Sequence, residues 1–176
     1  MNELWIKLMR RCLFRSLLVC VVMVAAFWMT GCREEAERTV HVQPLESGAF
    51  SGIPVDETRF MIISNRESLD ELLDAIHERP SPMAEPLPVE FETHIIVAAF
   101  MAEQPTAGYG IFFDEIGEIR DDILEIEVIV ASPPEDAIVA QVVTRPYSLA
   151  AVELGNYTKV KFRDVNGDTL EVLELH

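Results

Sequence analysis

Side chains that commonly perform catalysis are few in this chain of 176 residues. No two of its histidines are separated by the short intervals of metal-ligand motifs. No serine lies in a Gly-x-Ser-x-Gly turn, which exposes the nucleophile in many hydrolases. The glycines that flank Tyr109 lack the spacing of a phosphate-binding loop. The histidines are therefore expected at the surface or in the core rather than at a metal, and they are His41, His77, His94 and His176.

Acidic residues are the most abundant candidates for chemistry. Neighbouring carboxylates can act together in glycoside hydrolysis, and such pairs occur at Asp121-Asp122 and Glu135-Asp136. With 30 acidic residues in the chain, such pairs arise readily without a catalytic role. We therefore predict that the protein is not an enzyme and requires no cofactor.

Residues 164–168, Asp-Val-Asn-Gly-Asp, are superficially similar to the start of a calcium loop. An EF-hand loop needs glycine at its sixth position and glutamate at its twelfth. Here Gly167 is fourth and Leu175 is twelfth, so a hairpin turn is the better interpretation. We predict no metal site.

The charge of the chain is unevenly distributed. The total is −16 and the first 32 residues carry +3, which leaves −19 on the remainder. This charge repels phosphate backbones, so we predict no nucleic-acid partner. The acidity indicates a well-solvated surface, a basic partner or a saline habitat.

The N-terminus has the parts of an export signal. A basic stretch precedes the apolar run at 16–29, and Thr30-Gly31-Cys32 follows it. This arrangement resembles the bacterial lipobox, in which the cysteine becomes the lipid-modified first residue. The alternative is an uncleaved membrane helix, but the run is shorter than the roughly 20 residues that a spanning helix needs. We predict a signal peptide over residues 1–31 and lipidation of Cys32.

A lipidated cysteine carries several acyl chains, and stable membrane anchoring needs more than one. Arg33 follows the cysteine rather than aspartate. By the usual sorting of such lipoproteins, this indicates the outer membrane, facing the periplasm. The cysteines all lie at or before position 32, so the later residues have no disulfide framework.

Three regions follow from this organisation. Residues 1–31 are the signal peptide, residues 32–48 are expected to be the lipidated cysteine and a flexible tether, and residues 49–176 are expected to form one β-rich domain. One amphipathic helix is predicted, from a cap at Ser64 or Asn65 to a stop near Arg79. Strands are predicted at 60–63, 94–101, 109–116, 123–130, 138–144 and 149–154, followed by a C-terminal hairpin.

The hairpin contains Asn166-Gly167, a strong turn signal. A three-residue loop at 165–167 with a left-handed Gly167 would pair Phe162 with Leu170. It would also pair Val160 with Val172 and place Lys161 opposite Glu171. The predicted fold class is mainly β with one helix. It is an antiparallel sandwich or a partly closed barrel, with the amphipathic helix packed across it.

The stretch Pro-Thr-Ala-Gly-Tyr at 105–109 interrupts two apolar runs. Proline ends a strand, and glycine permits a backbone conformation that other residues avoid. We interpret it as a structural corner anchored by Tyr109, with a recognition edge beside it as the alternative. The candidate edge comprises Pro105, Thr106, Gly108, Tyr109, Arg145, Pro146 and Tyr147.

These residues also carry a family resemblance over about positions 55–155. The chain resembles the C-terminal domain family of the protease complex subunit PrcB, found in envelope lipoproteins. That family usually has Pro-Thr-Gly-Gly-Tyr where this chain has Ala107, which indicates that position 107 need not be left-handed here. Thr-Arg-Pro-Tyr at 144–147 is a second match.

The resemblance implies an accessory or stabilising protein rather than a catalyst. We expect a lipid-anchored envelope protein that binds another exported protein, with a protease complex as one candidate. A small-ligand or glycan sensor is the alternative. A hydrolase with hidden acids is a third.

Overall fold

A computed structural model describes residues 38–78 and 87–175, which belong to one compact unit. Within these ranges, one helix and nine strands follow one another along the chain. The elements are β1 (Arg38–Gly48), β2 (Arg59–Ile63), α1 (Arg66–His77), β3 (His94–Phe100), β4 (Gly110–Phe113), β5 (Ile116–Arg120), β6 (Ile123–Ala131), β7 (Tyr147–Glu153), β8 (Lys159–Arg163) and β9 (Thr169–Glu174).

The strands form a single sheet that curls into a nearly closed barrel. Its order is β2-β3-β7-β1-β5-β6-β8-β9, and β4 also pairs with β6. Neighbours run antiparallel except β6 and β8, which are parallel. The predicted class, mainly β with one helix, is confirmed, and the barrel describes the sheet better than the sandwich.

The first strand was missed in the sequence, which indicated a flexible tether up to residue 48. Residues 38–48 instead form β1, which pairs with β5 over its first four residues and with β7 over the rest. Val42 is fully buried, and its N–H bonds the carbonyl of Glu115 at 2.8 Å. Only this one side chain of β1 is buried and Pro44 lies within the strand, so apolar periodicity could not reveal it.

Two apolar cores lie on opposite faces of β3. Ile95, Val97 and Ala99 point into the barrel, whereas Ile96, Ala98 and Phe100 face a layer that includes the helix. The continuous apolar run at 94–101 predicted a strand covered on both faces, and this is confirmed.

The helix α1 covers the outer face of the sheet. Asn65 caps it by accepting a hydrogen bond from the N–H of Ser68 at 2.8 Å. Its apolar stripe packs into the second core through Leu69, Leu72 and Ile76, and the helix ends at a left-handed Glu78. The predicted helix is confirmed, with His77 as its last residue and its cap close to the expected stop near Arg79.

The strand predicted at 109–116 is divided into β4 and β5, which both pair with β6. A two-residue turn joins β5 to β6 through Asp121 and Asp122, whose φ angles are +49° and +61°. Positive φ at both central residues is typical of a type I′ hairpin turn, in which aspartate is tolerated. The turn accounts for this pair of carboxylates without catalysis.

The C-terminal hairpin confirms the predicted loop and corrects the predicted register. Gly167 is left-handed with φ of +88°, and Arg163 lies opposite Thr169, as a three-residue loop requires. A bulge then places Phe162 opposite Glu171 rather than Leu170. The shift turns Leu173 and Leu175 toward the barrel core, so apolar packing further along the strand overrides the Phe162–Leu170 pair.

Two further expectations were wrong. Lys161 lies opposite Val172 and forms its ion pair with Glu125 on β6, at 2.9 Å. Residues 138–144 form no regular strand and touch the rest of the chain through isolated bonds.

We expect Gly167→Ala to lower the free energy of unfolding by about 1 kcal/mol, since alanine resists positive φ. No atom lies within 4 Å of the added Cβ, so the loss reflects backbone strain alone. Urea unfolding monitored by circular dichroism measures it.

Val165→Ala is the matched control, because Val165 is an exposed residue of the same loop. Its effect should stay within about 0.5 kcal/mol. Equal losses in the two variants would contradict the strain explanation.

Candidate functional site

The structure brings the two predicted stretches of the recognition edge together. Residues 105–109, here called the corner loop, follow the end of β3. Gln104 and Thr144 exchange two backbone hydrogen bonds of 2.8 and 2.9 Å, and the N–H of Ala107 bonds the carbonyl of Ala140. The corner loop is therefore held against the chain that leads into β7.

Thr144 is the residue that fastens the corner loop. Its side chain is buried, and its hydroxyl donates to the carbonyl of Thr106 at 3.1 Å. The sequence had indicated an anchor at Tyr109, whose side chain is only half-buried. The available signal in the sequence was the Thr-Arg-Pro-Tyr match, which contains Thr144. The structure adds that Thr144 is buried, and a buried hydroxyl needs a partner.

The backbone of the corner loop agrees with the sequence at two positions. Gly108 has a φ of +96°, and a Cβ there would approach Pro133 to 3.0 Å. Ala107 is not among the residues with positive φ, so this position tolerates a side chain. The loop is thus shaped by one glycine instead of two.

Arg145 lies at the centre of the exposed side of the site. Its guanidinium bonds the Glu103 carboxylate, with Nη2 at 2.9 Å. Its N–H bonds the carbonyl of Ala49 and its carbonyl accepts from Ser51, so Phe50 lies beside it. Glu103 and Phe50 were not identified from the sequence, because they belong to separate segments.

Pro146 and Tyr147 are buried, so they support the edge from below. The Tyr147 ring stacks on Phe100, and its hydroxyl donates to Oε1 of Glu46 at 2.6 Å. His77 Nε2 lies 3.0 Å from the same oxygen. Burial and the neighbouring Glu46 carboxylate both raise the pKa of Tyr147.

Two open clefts flank Arg145. The larger, here called the main cleft, has a volume of about 460 Å³ and is lined by Phe50, Ile76, Glu78 and Val143 among others. The smaller, of about 330 Å³, lies beside Asp56 and Glu103.

Apolar side chains are exposed beside the main cleft. Residues 138–143, here called the exposed segment, include a fully exposed Ile138, with Val142 40% and Val143 50% exposed. Phe50 is 63% exposed. Exposed apolar side chains grouped in this way are typical of surfaces that contact another protein.

The acidic side chains of the described residues form no metal-binding cluster. Within residues 38–78 and 87–175, no three His, Cys, Asp or Glu side chains are placed to hold a metal ion. Asp164 Oδ1 accepts hydrogen bonds from the N–H groups of Asn166 and Asp168. Hydrogen bonding from Asn166 and these amides lowers the pKa of Asp164, so its carboxylate shapes the hairpin loop.

Cys32, the predicted lipidation site, lies outside the described residues. Among those that are described, no helix is both long and apolar enough to cross a membrane.

The region from β3 to β7 contains the corner loop, the exposed segment and Arg145. Residues 95–153 match the model of the PrcB C-terminal family. The resemblance stated from the sequence over about positions 55–155 is confirmed for residues 95–153. No curated protein and no solved structure matches the chain. The PrcB C-terminal match covers the whole candidate recognition edge but leaves out β1, β2 and the helix.

Tyr147→Phe removes the hydroxyl that donates to Glu46. We expect it to lower the free energy of unfolding by about 1–2 kcal/mol, because a carboxylate acceptor strengthens the bond. Urea unfolding of this variant, of Glu46→Gln and of the double variant measures the coupling. Strictly additive losses would show that the two groups do not interact.

Stability should also fall in alkali. Burial raises the pKa of Tyr157 from 10.0 to about 12, with a smaller effect from Glu153. The folded state thus retains this proton over a range in which the unfolded state loses it. We expect the free energy of unfolding to decline from about pH 10 upward. Tyr157→Phe should flatten the decline, and an unchanged slope would exclude Tyr157 as its source.

Proposed function

We propose that this chain is a lipid-anchored, non-catalytic protein of the cell envelope that binds and stabilises another exported protein. A protease complex is the leading partner. The main support is that residues 95–153, which match the PrcB C-terminal family, include the exposed apolar residues beside the corner loop. The family suggests an accessory subunit of a protease complex.

The geometry supports binding better than turnover. The clefts beside Arg145 are open, and that side chain is already paired with Glu103. The surface around them combines Phe50 and Val143 with carboxylates, a mixture of apolar and polar groups that is usual in protein interfaces. The buried contacts of Thr144 and Tyr147 hold this surface in place.

Anchoring and location are supported by the N-terminal sequence. A basic stretch, an apolar run and Thr30-Gly31-Cys32 are the parts of a lipoprotein signal. Acyl chains on Cys32 would hold the domain at the membrane. Arg33 supports the outer membrane as the destination, with the domain in the periplasm.

A small-ligand or glycan sensor is the second candidate, favoured by the volume of the main cleft. A cleft of about 460 Å³ falls in the size range of small-molecule sites. Its openness to solvent makes it a weaker pocket than such sites usually are.

The proposed function is tested by affinity purification of the tagged full chain from detergent-solubilised envelopes. One exported protein, such as a protease, should co-elute in stoichiometric amount and be identified by mass spectrometry. The Cys32→Ala variant should lose incorporation of labelled fatty acid and leave the membrane fraction.

Elution of the chain alone would contradict the protein-binding function and favour the sensor. Fatty-acid incorporation that persists in Cys32→Ala would contradict anchoring through this cysteine. These two results are independent, so anchoring and partner binding are judged separately.

A further inference from the structure

The exposed segment has the composition of a strand without the structure of one. Residues 137–143 read Ala-Ile-Val-Ala-Gln-Val-Val, and valine and isoleucine favour strands. Its neighbour within the fold is the corner loop, where Pro105 cannot donate to a ladder. In the described chain, backbone hydrogen bonds to the corner-loop side occur at Thr144 and Ala140, with no regular ladder between them. The segment forms neither helix nor turn and lacks a full partner.

Within the described chain, one edge of this segment bonds no other segment, and its Val139 carbonyl accepts from Nε2 of Gln141 at 3.4 Å. In an extended chain, the N–H and C=O groups of alternate residues point to opposite edges. Thr144 bonds Gln104 on the inner edge, whereas Arg145 bonds Ala49 and Ser51 on the other. By this alternation, the backbone N–H and C=O groups of Gln141 and Val143 point away from the corner loop, to what is here called the outer edge. Within the described chain, neither of their N–H groups donates to a backbone carbonyl.

The outer edge is continuous with the main cleft. Val143 lines this cleft together with Phe50 and Ile76, and Glu78 lies at its rim. The cleft lining is mostly polar, with these apolar side chains and a carboxylate among its groups. Such a lining suits a long basic side chain, whose methylene stem packs against apolar groups while its charge stays near water. If a strand from another polypeptide paired along this edge, its side chains would lie next to the cleft.

The charges near the edge favour a basic partner. Glu135 and Asp136 immediately precede the exposed segment, and Glu78 borders the main cleft. Among the described residues of the cleft wall, Arg145 is paired with Glu103 at 2.9 Å. His77 lies 3.0 Å from Glu46. The surroundings thus complement lysine or arginine.

We propose that the outer edge of the exposed segment receives an extended segment of the partner polypeptide as an added β-strand. That segment alternates apolar with lysine or arginine side chains, and one basic side chain enters the main cleft. Backbone pairing would supply affinity and the cleft would supply selectivity. The inference rests on the proposed function, because it requires a protein partner.

The test uses short fluorescein-labelled peptides and fluorescence anisotropy with the detergent-purified full chain. The first peptide alternates valine and lysine. The second replaces lysine by glutamate. The third keeps the side chains of the first but has N-methylated amides along both edges, so neither edge can pair. We expect the first peptide to bind most tightly, and the affinities of the other two to be lower by about tenfold or more.

Val143→Lys places a like charge at the mouth of the main cleft and removes an apolar contact. It should weaken the first peptide by about tenfold, equivalent to about 1.4 kcal/mol. Val172→Lys is the matched control, since Val172 is 46% exposed on β9, and should bind normally. Both variants should melt like the wild type.

Equal binding of the N-methylated peptide would overturn strand addition, and equal binding of the glutamate peptide would overturn the charge argument. The co-purification experiment separates this proposal from the proposed function. A partner retained in full by Val143→Lys would leave the proposed function standing and move its interface elsewhere.

Discussion

Burial of two neighbouring strands on both of their faces is the constraint on which this fold depends. β3 and β7 lie side by side between the barrel interior and the helix layer, and nearly all of their side chains are buried. The helix layer can approach these two strands closely because some residues that face it are small, such as Ala98 on β3 and Ala151 on β7. Larger side chains there would separate the helix from the sheet, since interiors are close-packed.

The recognition edge is a direct extension of this pair of strands. β3 continues into the corner loop, and the chain that enters β7 returns beside it. Bonds that begin as ladder pairs in the core, such as Phe100 with Tyr147, continue outward to Gln104 with Thr144. The surface is therefore positioned by the most buried part of the protein, and Thr144 and Tyr147 carry the polar contacts between the two.

Sequence reasoning succeeded where the pattern was local. The cap at Asn65, the apolar stripe of α1 and the continuous run of β3 are each encoded within about a dozen residues. The left-handed glycines and the hairpin loop followed from turn chemistry. The resemblance to the PrcB C-terminal family depended on short motifs of the same kind.

It failed where long-range partners decide the outcome. β1 has one buried side chain and a proline, so only its pairing with β5 and β7 makes it a strand. Residues 138–144 have strand propensity but lack a complete neighbour. The contacts of Glu46 with Tyr147 and of Glu103 with Arg145 join residues about 100 and 42 positions apart. No local pattern carries such information.

The placement of β1 also affects how the chain can fold. β1 leaves the ribosome before every other described strand, yet its two partners are the fifth and seventh strands. β1 cannot pair with β7 until β7 has been synthesised, and this pairing closes a long loop. A nascent chain with this topology therefore completes its central sheet only after most of the chain has been made.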